Sequence, residues 1–303
     1  MTAGVIRTQR PSARQRAVSE RARKGLRRRR AVNGVMLVVL ATAAVVTVLP
    51  LVFILFHLVA KGATSLDVAF FTHMPKPVGE AGGGMANAIV GTLIVIGLAM
   101  AFGLQVGVGA GLYLAENRGA WLANSVRFLS DVLNGLPSIV MGIFAWQFLV
   151  RPVGHFSALS GGVALGAMMI PMIARTTEEM VRLVPSSLRE ASLALGIRWW
   201  VTSLRVILRT ATAGVITGIM LAIARIGGET APLLFTAFNN QYWQAGLDQP
   251  ISTLTVQLFT YSIAPYDDWH RQAWAAALVL MTITLLLNVA ARAAGRQRFT
   301  LGR

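Results

Sequence analysis

The chain contains no cysteine among its 303 residues, which excludes disulfides, thiol catalysis and iron–sulfur sites. Charge is scarce as well: Asp, Glu, Lys and Arg make up 13% of the residues, against 55% hydrophobic. Lysine occurs only three times, followed by Gly25, Gly62 and Pro77, so the phosphate-cradling G-x-x-x-x-G-K-[ST] pattern is nowhere present. The chain therefore has no visible means of binding ATP by itself. No group of His, Asp and Glu has metal-ligand spacing, so no metal site is expected. Acids are few, 12 against 28 bases, for a net charge of +16. That excess resembles a nucleic-acid signal only until the charges are mapped. Eleven of the 28 bases precede Ala31, and "RARKGLRRRR" (Arg21 to Arg30) ends where the first apolar run begins. Bases beside a span are the usual cytoplasmic anchor, contacting membrane lipid, so no nucleic-acid partner is expected.

What is abundant is long apolar runs, with a mean hydropathy of +0.61. A membrane-crossing helix needs about 20 such residues. Six spans are expected, at 33–59, 86–115, 127–150, 157–176, 211–238 and 271–291, giving an all-α polytopic membrane protein. The first run is too long for a secretory signal and lacks a cleavage pattern. Residues 1–31 form a basic tail expected to be disordered, 32–85 the first span with an external segment, 86–295 the core, and 296–303 a second tail. The 175–209 link carries six arginines against Glu178, Glu179 and Glu190, whereas 239–270 has Asp248, Asp267 and Asp268 without Lys or Arg. By the positive-inside rule both termini and the 177–209 loop are cytoplasmic. Gly103, Gly107 and Gly111 recur every fourth residue in the second span. Inside a span that spacing means close helix approach, not a nucleotide loop.

Two charges stand where lipid would forbid them. Arg225 and Glu229 lie within the apolar run 211–238, and each costs about 2.5–3.5 kcal/mol at a bilayer centre. A local i,i+4 ion pair returns only about 0.2–0.5 kcal/mol, and Arg before Glu is the weaker order. Such residues are by default a pathway through the membrane. The arginine fork suits an oxyanion, since it takes two oxygens at once and stays protonated. Gly227, Gly228 and Pro232 weaken the helix around Glu229, so a broken turn with free backbone donors is expected, with the Thr230 hydroxyl beside it. Arg175 is either a second anion station or an interfacial anchor. Asn134 and Ser138, flanking Pro137, either line the path or satisfy the carbonyl that proline frees.

The 177–209 loop has apolar Leu193, Ile197, Val201 and Leu204 at helical spacing, and Gly196 marks a turn between two short helices. It reads either as an amphipathic helix on the membrane surface or as a docking element. Glu190-Ala191-Ser192, three residues, then Gly196 resembles the E-A-A-x-x-x-G loop of ABC importer permeases. That resemblance implies the type-1 permease fold and docking of this loop in a separate ATPase subunit. Ser192 replaces the usual second alanine, and Arg209 stands where the pattern usually ends in proline. "NGLPSIVMG" (Asn134 to Gly142), "IPMIARTTEEMVRLVP" (Ile170 to Pro185) and "GETAPLL" (Gly228 to Leu234) resemble the PstA-type permeases of phosphate importers, as do "GGGMANAIVGTL" and "LYLAEN". Gly227 departs from the larger apolar residue common there.

The resemblance implies a permease subunit moving inorganic phosphate across a bacterial plasma (inner) membrane. Its implied partners are a second, PstC-type permease, a PstB-type ATPase dimer and an external PstS-type phosphate-binding protein. ATP and magnesium would belong to the ATPase, with no cofactor and no enzymatic activity in this chain. Glu229 would accept a hydrogen bond from the proton that phosphate still carries and sulfate lacks. A permease for sulfate or molybdate, or an ion-coupled secondary transporter using Glu229 as a proton relay, are the alternative readings.

Overall fold

Helix is the natural outcome for such a chain, because a backbone crossing lipid must satisfy its own N–H and C=O groups. The computed structural model describes the backbone of residues 13–300 apart from 79 and 81, and side chains from 29 to 293 with the same exceptions. Among the described residues there is no strand. The helices are α1 (Ala13–Ala63), α2 (Val68–Thr72), α3 (Ala86–Glu116), α4 (Trp121–Gly135) and α5 (Ser138–Val153). They continue as α6 (Ala158–Arg182), α7 (Ser186–Ala194), α8 (Trp199–Gly227), α9 (Ala231–Thr236), α10 (Leu254–Ser262) and α11 (Asp267–Thr300).

The chain falls into two units, Met1–His57 and Leu58–Arg303. The described part of the first is α1 alone, whose apolar side chains are exposed all round, Leu40 by 69% and Phe56 by 71%. A helix apolar on every side belongs in lipid. The expectation of a disordered tail to residue 31 fails from Ala13 onward, where the backbone is already helical. Arginine is a good helix former, and lengthening an existing helix needs no new nucleus. Residues 1–12 lie outside the described residues. The C-terminal tail expected from 296 is likewise helical to Thr300.

In the second unit, α3 and α6 form the centre. Their contact is made by small residues. A Cβ on Gly103 would stand 2.9 Å from the Gly166 oxygen, one on Gly107 2.8 Å from the Ile173 Cβ, and one on Gly111 2.5 Å from the Ala174 oxygen. The four-residue glycine spacing is therefore a packing stripe, as expected. Val95, Ile96, Ala99, Leu165, Met169 and Ile173 fill the core, joined by Ala222, Ile223 and Ile226 of α8.

Among the described residues, five helices are long and apolar enough to cross a membrane, and α4 with α5 makes a sixth only as a pair bent by 111°. The third expected span, 127–150, is thus broken and not merely kinked. Leu136 and Pro137 are both extended, with ψ of 139° and 137°, because proline disfavours helical geometry in the residue before it. The fifth span also differs. Helix α8 starts at Trp199, well before the expected Ala211, and ends at Gly227 instead of running to Phe238. The acidic 239–270 link is no simple loop either. Ile251–Gln257, including the start of α10, is buried; Leu254 N–H donates to Thr92 Oγ1 at 2.8 Å, and a Cβ on Gly91 would meet the Ser252 oxygen at 1.9 Å. The nine residues of α10 are too few to span a membrane, so hydropathy alone could not find it.

Candidate functional site

Arg225 and Glu229 sit at the point where α8 stops. The helix ends at Gly227, Gly228 caps it, and α9 resumes at Ala231, so Glu229 and Thr230 occupy the break. Gly227 is fixed by its neighbour, since a Cβ there would stand 3.1 Å from Thr284 Oγ1 of α11. A larger residue would push that contact apart. The Gly228 and Glu229 amides turn back onto the Arg225 and Ile226 carbonyls at 3.4 and 3.2 Å. The break therefore leaves fewer free backbone donors than its glycines suggested.

Both charged side chains are half-buried. Among the described residues, neither enters an ion pair, with the other or with any third group. The i,i+4 bridge that could have explained them is not formed. Two partly desolvated charges of opposite sign, neither in an ion pair, thus stand beside an interrupted helix.

Asn134 and Ser138 flank the α4–α5 bend and are half-buried, and Asn134 Oδ1 is buried without a hydrogen-bond partner. The Leu133 carbonyl, one turn before Pro137, accepts the Leu136 N–H at 3.3 Å, so neither Asn134 nor Ser138 is needed to satisfy it. Helix α5 packs directly on α9: a Cβ on Gly142 would approach Pro232 Cα to 2.9 Å. The two broken helices thus meet side by side, just past Glu229 and Thr230. No hydrogen bond or ion pair among the described residues joins Arg225, Glu229, Asn134 and Ser138 to one another.

Arg175 is elsewhere and already occupied. Its Nε lies 3.0 Å from Asp131 Oδ1 and its Nη1 3.0 Å from Glu178 Oε2. Glu178, wholly buried, also receives Arg127 Nε at 2.6 Å and Arg182 Nη2 at 2.5 Å. Arg127 in turn caps the end of α3 through the Leu114 carbonyl at 2.6 Å. This knot of three arginines on one carboxylate ties α3, α4 and α6 together. Sequence reasoning missed it, counting Glu178 as a loop charge. The one local sign was Arg175 and Arg182 at i−3 and i+4 from that glutamate.

The 177–209 loop folds as one short helix, α7, and a turn. Gly196 has φ of +75°, the Gly196 N–H reaches the Leu193 carbonyl at 2.9 Å, and the Ile197 N–H reaches that of Ser192 at 3.3 Å. This is a Schellman motif, which demands a left-handed residue and so favours glycine. The second short helix expected after the turn is instead the start of α8, which runs unbroken past Arg209 through a wider turn at Thr202–Ile207. Glu190 and Ala191 are exposed. Ser192 is buried and its hydroxyl lies 2.8 Å from that of Thr202, so the departure from alanine adds a clasp across the turn.

Residues 107–298 match the family described as binding-protein-dependent transport system inner membrane components. The chain belongs to that family. It is 44% identical over 265 residues to the phosphate transport system permease protein PstA of Yersinia pestis, covering 87% of this chain and 90% of that one. PstA 1 of Mycobacterium tuberculosis (strain ATCC 25618 / H37Rv) is 34% identical over 269 residues, covering 87% of each. Among solved structures, a chain of the MetNI methionine ABC transporter in an inward-facing conformation superposes with a TM-score of 0.54 at 20% identity, covering 72% of this chain and 98% of that one. That likeness shows the ABC type-1 permease fold. As a member of the family, the chain is a multi-pass membrane permease of the inner membrane and a transport subunit, not an enzyme.

Proposed function

We propose that this permease carries inorganic phosphate inward past Arg225 and Glu229, driven by ATP hydrolysis on a separate subunit. The unpaired, half-buried Arg225 beside the α8–α9 break is the observation that carries the reading. Its guanidinium offers two parallel donors to phosphate oxygens. Glu229, also unpaired, accepts a hydrogen bond from the P–OH group that phosphate retains near neutral pH. Sulfate brings no proton, leaving that carboxylate unsatisfied and repelled. The PstA relatives named for phosphate transport support the substrate.

In this reading both termini and the α7 loop face the cytoplasm, following the arginine distribution. The exposed Glu190 and Ala191 seat in a PstB-type ATPase dimer that binds ATP and magnesium. A PstC-type permease supplies the other half of the pathway, and a PstS-type protein delivers phosphate from outside. Closure of the ATPase pair shifts the free-energy difference between inward- and outward-facing states.

Competition uptake tests the reading. Glu229→Gln should reduce phosphate uptake at least tenfold and let excess sulfate inhibit what remains. Unchanged uptake and unchanged exclusion of sulfate would remove Glu229 from selectivity. Uptake that stops on ATP depletion but survives an uncoupler supports the ATPase over an ion-coupled route, and the reverse pattern refutes it.

A further inference from the structure

A carboxylate at the last position of a helix is badly placed, because the unsatisfied carbonyls there already carry partial negative charge. Glu116 closes α3, and its side chain is only 3% exposed. It is held by two groups from the α7–α8 segment: Arg189 of α7 pairs with Oε2, and the Ser203 hydroxyl donates to Oε1 at 2.9 Å. Arg189 immediately precedes Glu190, so neighbouring residues of one short helix grip inward and face outward. Through the Ser192–Thr202 contact at 2.8 Å, the two arms on Glu116 are tied to each other.

On its other side the α3 terminus is held by Arg127 of α4, whose Nη2 reaches the Leu114 carbonyl at 2.6 Å while Nε pairs with Glu178 at 2.6 Å. Helix α4 leads into the Leu136–Pro137 break and α5, which lies against α9 beside Glu229 and Thr230. We infer that Glu116 is the positioning residue through which movement of α7 is passed to α3, and by Arg127 to the α4–α5 bend at the transport site. This rests on the ATPase docking at α7 set out above. Contiguity alone does not establish coupling; a change in response at the far end does.

The test uses the assembled transporter with its ATPase, made free of cysteine in the partners as this chain already is. Spin labels go on single cysteines at Ser187 in the loop and at Ile139 in α5, both exposed. In the parent, ATP with vanadate should change both spectra. In Glu116→Gln the ATPase still copurifies and Ser187 still responds, but the Ile139 change falls at least fivefold. The charge exchange Glu116→Arg with Arg189→Glu restores at least half of it. An unaltered Ile139 response, no recovery in the exchange, or loss of copurification in Glu116→Gln would each overturn the assignment. Phosphate takes no part in this readout, so the inference and the substrate reading can fail independently.

Discussion

Glu178 is a carboxylate sealed from water and met by Arg127, Arg175 and Arg182. Removing one partner from a buried ionic cluster leaves charge without compensation, a loss of about 3–5 kcal/mol. Arg175 and Arg182 keep about a third of their side chains exposed, and water screening discounts the effect toward about 3 kcal/mol. Glu178→Ala should therefore lower the thermal midpoint of the purified subunit clearly, while Glu179→Ala, outside the knot, should not. Gly196 is constrained differently, by backbone geometry. Alanine there must adopt a left-handed conformation at about 1 kcal/mol, so hydrogen exchange of the Gly196-equivalent and Ile197 amides in Gly196→Ala should quicken about fivefold. Equal protection in parent and variant would mean that the turn has another support.

Among elements, the α3–α6 contact shows what the sequence could reveal. Small residues four apart lie on one helix face, and that pattern is wholly local, so Gly103, Gly107 and Gly111 were readable as a packing stripe. Gly107→Leu should destabilise the purified subunit by about 1–3 kcal/mol through overpacking against Ile173. Gly109→Leu, where an added Cβ meets nothing within 4 Å, is the control expected to change little. The α8–α9 break was also legible, from Gly227, Gly228 and Pro232 in one short run. The break at Leu136–Pro137 was underestimated, since a single proline permits either a kink or a full stop, and the 111° bend is the stop. Helix α10 was illegible for a different reason. Its polar Thr255 and Gln257, and Thr253 just before it, are buried where the segment meets Thr92 and Asn239, and no local periodicity announces such burial.

Across the whole molecule, charge placement is the thread. The sequence singles out Arg225 and Glu229 because lipid penalises them, and that penalty depends only on position in an apolar run. It does not single out Glu116 or Glu178, near the ends of α3 and α6 where charge is ordinary, or Arg127, which stands at the start of an expected span. Their partners, Arg189 for Glu116 and Glu178 for Arg127, come from other elements and are found only in three dimensions. Arg225 and Glu229, beside the interrupted helix, enter no ion pair, whereas Glu116 and Glu178 are neutralised by arginines at the cytoplasmic-loop end of α3 and α6 in the proposed orientation. A transport subunit needs both arrangements: an open electrostatic site for cargo, and a stiff linkage that moves it.

Uptake of radiolabelled phosphate by Arg225→Gln, in a transporter shown to contain its ATPase, tests the central claim most directly. Loss of a bidentate, charge-assisted contact predicts a fall of at least tenfold with the complex intact. Uptake at the parent rate would contradict the account, because the arginine in the membrane would then have no part in carrying the anion.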